Sequence, residues 1–152
     1  MQAVYMQQKH TQLTRLLEIM ERLRDPEKGC PWDLKQTFET IAPYTIEEAY
    51  EVSEAIASGD RDKICDELGD LLFQVVFHAQ MATEEDSCTF EDIAKQGSDK
   101  MVRRHPHVFG NLPTTDEQVV NQNWEAIKKA EREDASDGQT PSILDDITNT
   151  LP

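Results

Sequence analysis

Two neighbouring segments of the sequence carry acidic residues at a spacing that could do chemistry. Glu47, Glu48 and Glu51 lie in the first segment, and Glu67 and Asp70 lie in the second. Residues three apart in a helix share a face, so each segment would present two carboxylates side by side. Four converging carboxylates without matching cations favour a hard divalent cation, either Mg²⁺ or Mn²⁺.

The same acidic residues also have a simpler interpretation. The chain of 152 residues has 30 Asp and Glu against 15 Lys and Arg, so a pattern such as EExxE arises easily by chance and often marks a solvated helix face. A di-iron bundle is disfavoured, because it would ordinarily carry Glu-x-x-His and the sequence has no such pair. Spacing alone therefore does not decide between a metal site and a solvated face.

Burial supplies the second criterion, through the helix predicted over residues 61–85. Apolar residues surround most of this helix, which predicts a position in the middle of the fold. Its broadest apolar face contains Leu68, Leu71, Leu72, Val75, Val76 and Ala79. The remaining narrow polar stripe consists of Glu67, Asp70, Gln74 and His78. Buried carboxylates are costly unless they are paired, hydrogen-bonded or bound to a metal, so the stripe favours the metal site.

The rest of the sequence predicts further helices and no strands, and hence an all-α, antiparallel helical bundle. Thr45 is the expected N-cap of a second helix, and Gly59-Asp60 is the short turn that makes it antiparallel to the third. We expect a single helical domain over residues 1–134 and an acidic, disordered tail or linker over 135–152. The predicted helices cover residues 11–24, 46–58, 61–85, 90–104 and 116–133.

The net charge of −15 excludes several classes of partner. A strongly negative chain repels nucleic acid polymers and anionic membrane surfaces, whereas a small anionic ligand can still bind through cations. The longest apolar run is too short to span a bilayer, and the first residues lack the apolar region of a secretory signal. The three cysteines form no CxxC pair, which predicts a reduced, cytoplasmic setting.

Together with its flanking motifs, the carboxylate pattern resembles the MazG family of all-α nucleoside triphosphate pyrophosphohydrolases. The family signature is EExxE followed by ExxD, which here spans residues 47–51 and 67–70. The likeness runs from about residue 16 to 144 and is to the first domain of the two-domain members. It includes KGCPWD at 28–33, ELGDLLFQVVF at 67–77, RRHPHVF at 103–109 and NWE at 123–125.

The resemblance implies hydrolysis of a nucleoside triphosphate between its α and β phosphates, which yields the monophosphate and pyrophosphate. It also implies that Glu48, Glu51, Glu67 and Asp70 are ligands of Mg²⁺, with Mn²⁺ as the alternative ion. Glu47 would be an auxiliary carboxylate, and the general base is left open between Glu47 and Glu51. Family members build their pockets from paired subunits, so the resemblance further implies a homodimer or a dimer of dimers.

A triphosphate also needs donors from the protein, and basic residues near the end of the fourth predicted helix are the candidates. Lys100 and Arg104 are four apart and share a face, with Arg103 adjacent. Basic residues in a last turn also complement the helix dipole, but the resemblance favours phosphate contacts. Trp124 would either stack on a nucleobase or pack against the bundle.

The sequence is also compatible with a second functional class, a noncatalytic module. In two-domain family members the second copy is regarded as the main catalytic one, so the chain could instead be a weakly active or noncatalytic module for oligomerisation, nucleotide binding or regulation. The four carboxylates favour the enzyme, because a domain kept only for assembly has no physical need for them.

Overall fold

The computed structural model describes residues 11–135, and all of their regular structure is helical. The prediction of an all-α chain is confirmed. Residues 136–152, which contain nearly all of the predicted tail, lie outside the described residues. No helix in the described part has the length and apolar character needed to cross a membrane. The helices are α1 (Thr11–Leu23), a 3₁₀ turn (Asp33–Lys35), α2 (Phe38–Ser58), α3 (Arg61–Glu84), α4 (Phe90–Arg104), α5 (Pro106–Phe109) and α6 (Glu117–Ala135).

The chain divides into two compact units, Met1–Ile93 and Ala94–Pro152. Helices α1, α2 and α3 belong to the first unit, whereas α5, α6 and most of α4 belong to the second. The single domain expected over residues 1–134 stays a prediction. The boundaries of α1, α3, α4 and α6 agree with the sequence expectation to within two residues.

Helix α3 is the central helix of the first unit, because it packs against both α1 and α2. Burial on α3 is concentrated in its second half, where Val76, Phe77 and Met81 join Met20 and Ile41 in the core. Helix α1 has 13 residues and α3 has 24, so at about 1.5 Å per residue α1 can cover only part of its length.

The broad apolar face predicted for α3 is only partly buried. Leu68, Leu72 and Val75 are 48%, 40% and 37% exposed, although Val76 and Ala79 of the same predicted face are buried. The three exposed residues recur at intervals of four and three, so they form one stripe along the helix. We call Leu68, Leu72 and Val75 the apolar stripe of α3.

Helix α2 begins eight residues earlier than the sequence predicted, so the assignment of Thr45 as its N-cap was wrong. The N-cap is Thr37, whose hydroxyl accepts a hydrogen bond from the backbone N–H of Thr40 at 3.4 Å. The Thr40 hydroxyl in turn accepts from the backbone N–H of Thr37 at 2.8 Å, which completes a capping box. Pro43 lies inside the helix and removes one backbone donor.

The turn between α2 and α3 matches the expectation. Gly59 has a φ of 73°, a left-handed conformation that glycine adopts without the steric cost of a Cβ. Asp60 then caps α3, because its Oδ1 accepts hydrogen bonds from the backbone N–H groups of Asp62 and Lys63 at 3.0 and 3.2 Å. Two consecutive residues thus end one helix and begin the next, which places α2 and α3 side by side.

Arg24, just after α1, connects three separate parts of the first unit. Its guanidinium forms three hydrogen bonds with Glu84 at the end of α3, from Nε to Oε1 at 2.8 Å and to Oε2 at 3.0 Å, and from Nη2 to Oε2 at 2.6 Å. It also donates to the backbone carbonyl of Asp33 at 2.6 Å and lies 5.6 Å from the centre of the Phe77 ring. These donated hydrogen bonds hold the pKa of Glu84 below its ordinary value.

Candidate active site

The α2–α3 hairpin brings carboxylates from both helices together in the first unit. Glu48, Glu67 and Asp70 each offer one oxygen, and these three oxygens all lie within 4.8 Å of one another. Glu48 comes from α2, whereas Glu67 and Asp70 lie three residues apart on one face of α3. The convergence expected from the two spacings and the short turn is therefore present for three of the four predicted ligands.

Glu48 is the least compensated of these carboxylates. Its Oε2 is buried and has no hydrogen-bond partner within residues 11–135. Burial raises the pKa of Glu48, and the nearby charges of Asp70 and Glu51 raise it further. A buried acceptor without a donor is costly, so this oxygen suits a ligand that supplies positive charge.

Glu51 and Glu47 lie at the margin of the cluster. Glu51 is outside the three-oxygen set, but its charge raises the pKa of both Glu48 and Glu67. For Glu67, burial is the largest cause of the raised pKa. Glu47 is exposed and its charge contributes to the raised pKa of Glu48. The predicted carboxylates thus form a single electrostatic group in which three members converge.

The donor set fits a hard divalent cation. All members are carboxylates, which are the oxygen ligands that Mg²⁺ and Mn²⁺ prefer, and no cysteine or histidine belongs to the three-oxygen set. Mutual repulsion and the unpartnered Glu48 oxygen are both relieved when positive charge enters the cluster. These residues can therefore hold a metal ion.

Beyond Asp70, the polar stripe of α3 continues into the interior. Gln74 is only 7% exposed, and within the described part of the chain its Oε1 has no hydrogen-bond partner. His78 lies 3.0 Å from the Thr45 hydroxyl through Nε2 and stacks on the Phe38 ring at 5.6 Å. Burial lowers the pKa of His78, which favours its neutral form. His78 is thus a hydrogen-bonded, partly buried histidine outside the three-oxygen set.

The second unit contains a basic cleft of about 650 Å³. It includes all three basic residues predicted from the end of α4, and it adds two cations and two carboxylates from α6. The lining residues are Lys100, Arg103, Arg104, Lys128, Glu131, Arg132 and Asp134. Sequence reasoning missed Lys128 and Arg132, although their four-residue spacing on a helix is the same signal that identified Lys100 and Arg104.

Glu131 binds both arginines of the cleft. Arg104 donates from Nε and Nη2 to Oε2 at 3.1 and 2.7 Å, and Arg103 donates from Nε and Nη2 to Oε1 at 3.2 and 2.9 Å. These hydrogen bonds, first those from Arg104, hold the pKa of Glu131 below its ordinary range. Glu131 did not stand out in the sequence, since an acidic residue on an exposed helix is common in this chain.

Trp124 lies beside the same arginines. The Arg104 guanidinium is 5.5 Å from the centre of its ring, and His105 meets the indole edge-on at 4.9 Å. The indole is half-buried, so it takes part in the packing of the second unit while some of its surface is open. These contacts lie within the second unit, and both sequence interpretations, base stacking and packing against the bundle, stay predictions.

Comparison with known proteins identifies relatives along most of the chain. A family model described as the MazG nucleotide pyrophosphohydrolase domain matches residues 36–109. A nucleoside triphosphate pyrophosphohydrolase of Escherichia coli (strain K12) is 58% identical over 141 residues, covering 93% of this chain and 52% of that protein. The nucleoside triphosphate pyrophosphohydrolase/pyrophosphatase MazG of Thermotoga maritima is 50% identical over 117 residues, covering 77% of this chain and 44% of that protein.

The chain thus spans about half of each of these two curated relatives. A solved structure matches this chain over nearly its own full length. The crystal structure of a mazG-related protein from Thermotoga maritima superposes with a TM-score of 0.64 at 30% identity. The match covers 76% of this chain and 98% of that chain. Because sequence and fold agree over almost all of that protein, the chain belongs to the MazG family.

Proposed function

We propose that this chain hydrolyses nucleoside triphosphates, ribo- or deoxyribo-, to the monophosphate and pyrophosphate in a Mg²⁺-dependent reaction. The observation that carries the proposal is the convergence of Glu48, Glu67 and Asp70 around an unpartnered, buried Glu48 oxygen. The names of the Escherichia coli and Thermotoga relatives support the same reaction.

The metal site of this proposal consists of Glu48, Glu67 and Asp70, with Glu51 as the fourth ligand. Mg²⁺ is the proposed ion and Mn²⁺ the alternative. When bound, the cation would neutralise phosphate charge and favour deprotonation of the attacking water. Glu47 and Glu51 are the two candidates for the base that accepts the proton of that water. In-line attack then breaks the bond between the α and β phosphates.

The basic cleft supplies the proposed phosphate contacts of the chain. Lys100, Arg103 and Arg104 were expected there from the sequence, and Lys128 lines the same cleft. Arginine is suited to this role because its planar guanidinium can form two parallel hydrogen bonds with phosphate oxygens. Trp124 is the proposed base-stacking residue, through the part of its indole that stays open.

We also propose that the chain forms a homodimer, or a dimer of dimers, through the apolar stripe of α3. Leu68, Leu72 and Val75 are exposed on one side of this helix, and Ile46 and Tyr50 on α2 are 43% and 51% exposed. Exposed apolar residues that share one side of a helix are typical of interaction surfaces. We propose in addition that the chain works in the reduced, cytoplasmic setting that its cysteine pattern predicts.

The experiment that tests the function is release of pyrophosphate and monophosphate from each common ribo- and deoxyribonucleoside triphosphate in Mg²⁺. We expect release with the unmodified chain and its loss in Glu48→Gln and Asp70→Asn. Glu54→Gln is the matched control, because Glu54 is an exposed carboxylate on α2 outside the convergent set. Absence of release with every nucleotide from a folded protein would instead support the noncatalytic module.

A further inference from the structure

We propose that Glu131 is a positioning residue, which holds Arg104 and Arg103 in the orientation that meets a polyphosphate in the basic cleft. The inference rests on the proposed function and adds a residue that contacts the arginines rather than the substrate. Four hydrogen bonds of 2.7–3.2 Å connect the three side chains. Each carboxylate oxygen of Glu131 receives one guanidinium.

The geometry leaves both arginines able to bind an anion. A guanidinium has five N–H donors. Arg103 and Arg104 each direct the edge formed by Nε and Nη2 at Glu131. Within residues 11–135, both hydrogens of Nη1 and one of Nη2 therefore have no acceptor on either side chain. Glu131 therefore fixes the guanidinium planes without using all of their donors.

Arg104 is the more firmly held of the two. Its side chain is 17% exposed, whereas that of Arg103 is 55% exposed. The Arg104 guanidinium also lies against the Trp124 ring at 5.5 Å, so contacts on one edge and one face restrict its rotation. An arginine that is already held in one orientation before a phosphate binds loses less conformational entropy on binding. Arg104 is thus the residue through which Glu131 should act most strongly.

Net charge alone predicts the opposite effect of Glu131 on anion binding, so the two explanations can be told apart by experiment. The cleft has five basic residues and two carboxylates. If the cleft bound anions only through its net charge, removal of a carboxylate would strengthen binding. If Glu131 instead positions adjacent, mutually repelling guanidiniums, its removal would let them separate and would weaken binding.

The test measures binding of inorganic tripolyphosphate to the full chain by calorimetry, at low ionic strength and without divalent cations. This probe has no base or sugar and requires no hydrolysis. We expect Glu131→Ala to weaken binding by about tenfold, the loss of roughly one good charge-assisted contact. Glu125→Ala is the matched control, because Glu125 is an exposed carboxylate on the same helix that pairs with Lys128 and contacts neither arginine. It should bind as tightly as the unmodified chain or more tightly.

A double-mutant cycle tests whether Glu131 affects tripolyphosphate binding through Arg104. If Glu131 acts through Arg104, then Glu131→Ala should lose most of its effect when Arg104→Ala is already present. Glu131→Gln has a single acceptor oxygen and can hold only one of the arginines, so we expect an intermediate loss of about threefold. Circular dichroism confirms that each variant is folded, and Glu131→Gln keeps the test available should Glu131→Ala not fold.

The kinetic readout separates this inference from the proposed function. With a nucleoside triphosphate and Mg²⁺, Glu131→Ala should raise KM by about tenfold and change kcat by less than about threefold. Equal or tighter tripolyphosphate binding by Glu131→Ala would overturn the inference, as would an undiminished effect in the Arg104→Ala background or no binding by the unmodified chain. Lack of hydrolysis with tripolyphosphate binding intact would overturn only the proposed function.

Discussion

Glu48 illustrates the energetic cost of a buried carboxylate oxygen that has no hydrogen-bond donor in the described part of the first unit. Its buried Oε2 has no donor within the described residues, and neighbouring negative charges raise its pKa. Sites assembled for ligand binding commonly lower the stability of the ligand-free protein. Without a bound cation, repulsion among the carboxylates of the cluster therefore lowers the stability of the folded protein.

The first prediction concerns this cost. Glu48→Gln should raise the Tm of the metal-free protein by roughly 3 °C, because it removes one of the repelling charges. We expect Mg²⁺ to raise the Tm of the unmodified chain, and the same variant should lose most of that increase. Differential scanning calorimetry with EDTA and with Mg²⁺ measures both effects. A lower Tm in the metal-free variant would contradict the assignment, and Glu54→Gln serves as the charge-matched control.

At the scale of elements, the start of α2 depends on side chains that are far from the carboxylates. The capping box of Thr37 and Thr40 begins the helix, and the helix then continues through Pro43 to Glu48. A helix that began at Thr45 would place Glu48 in its first turn, where fraying is greatest. The longer helix instead places Glu48 in the helix interior, which fixes its orientation relative to α3.

The second prediction tests this cap. Thr37→Ala should destabilise the protein by about 1 kcal/mol, because it leaves the Thr40 backbone N–H without its acceptor. In a chain of this size that corresponds to a Tm lower by about 3 °C. Urea unfolding followed by circular dichroism measures the change. Ser53→Ala, an exposed position on the same helix, should change stability by only a few tenths of a kcal/mol.

The third prediction concerns the connection of α1 to α3 through Arg24 and Glu84. The pKa of Glu84 is lowered from its ordinary value of 4.5, so the folded state binds fewer protons than the unfolded state as the pH falls. The contribution of the ion pair is thus complete above about pH 4.5 and is lost as the pH falls through the folded pKa. Glu84→Gln should be less stable than the unmodified chain at pH 7, and this difference should shrink in acid. A difference in unfolding free energy that is constant from pH 7 to pH 3 would contradict the pairing.

At the scale of the whole molecule, exposed apolar residues and acidic charge act together. The net charge of −15 keeps copies of the chain apart in general, so association requires an apolar surface whose burial offsets this repulsion. The apolar stripe of α3 is such a surface, and its residues lie next to Glu67 and Asp70 on the same helix. Assembly through this stripe would therefore take place close to the carboxylate cluster.

The fourth prediction is that Leu68→Glu combined with Leu72→Glu makes the protein monomeric. Both side chains are exposed, so the substitutions should leave the fold intact while they place charge in the proposed interface. Sedimentation equilibrium measures the mass in solution. Val108→Glu, at a 63% exposed position in the second unit, is the control and should keep the mass of the unmodified chain. An unmodified chain that sediments as a monomer would contradict the proposed dimer.

The sequence by itself determined the helical class, most helix boundaries and the convergence of Glu48 with Glu67 and Asp70. These features depend on neighbours within about four residues, such as apolar periodicity, helix capping and a two-residue turn. Such local interactions can be inferred directly from the order of residues in the sequence. The early start of α2 and the short helix α5 were not predicted; for α2 the reason is that the capping pair Thr37 and Thr40 carries a weaker signal than the acidic turn after Thr45.

Only the tertiary structure decided which side chains are covered and which are paired. The sequence could not show that Leu68, Leu72 and Val75 are exposed while Val76 and Ala79 of the same predicted face are buried, since that depends on which side of α3 the other helices cover. It could not show that Glu131 binds Arg103 and Arg104, which are 28 and 27 residues away along the chain. Burial and long-range charge pairing depend on distances in space, and those distances are set only when the helices pack against one another.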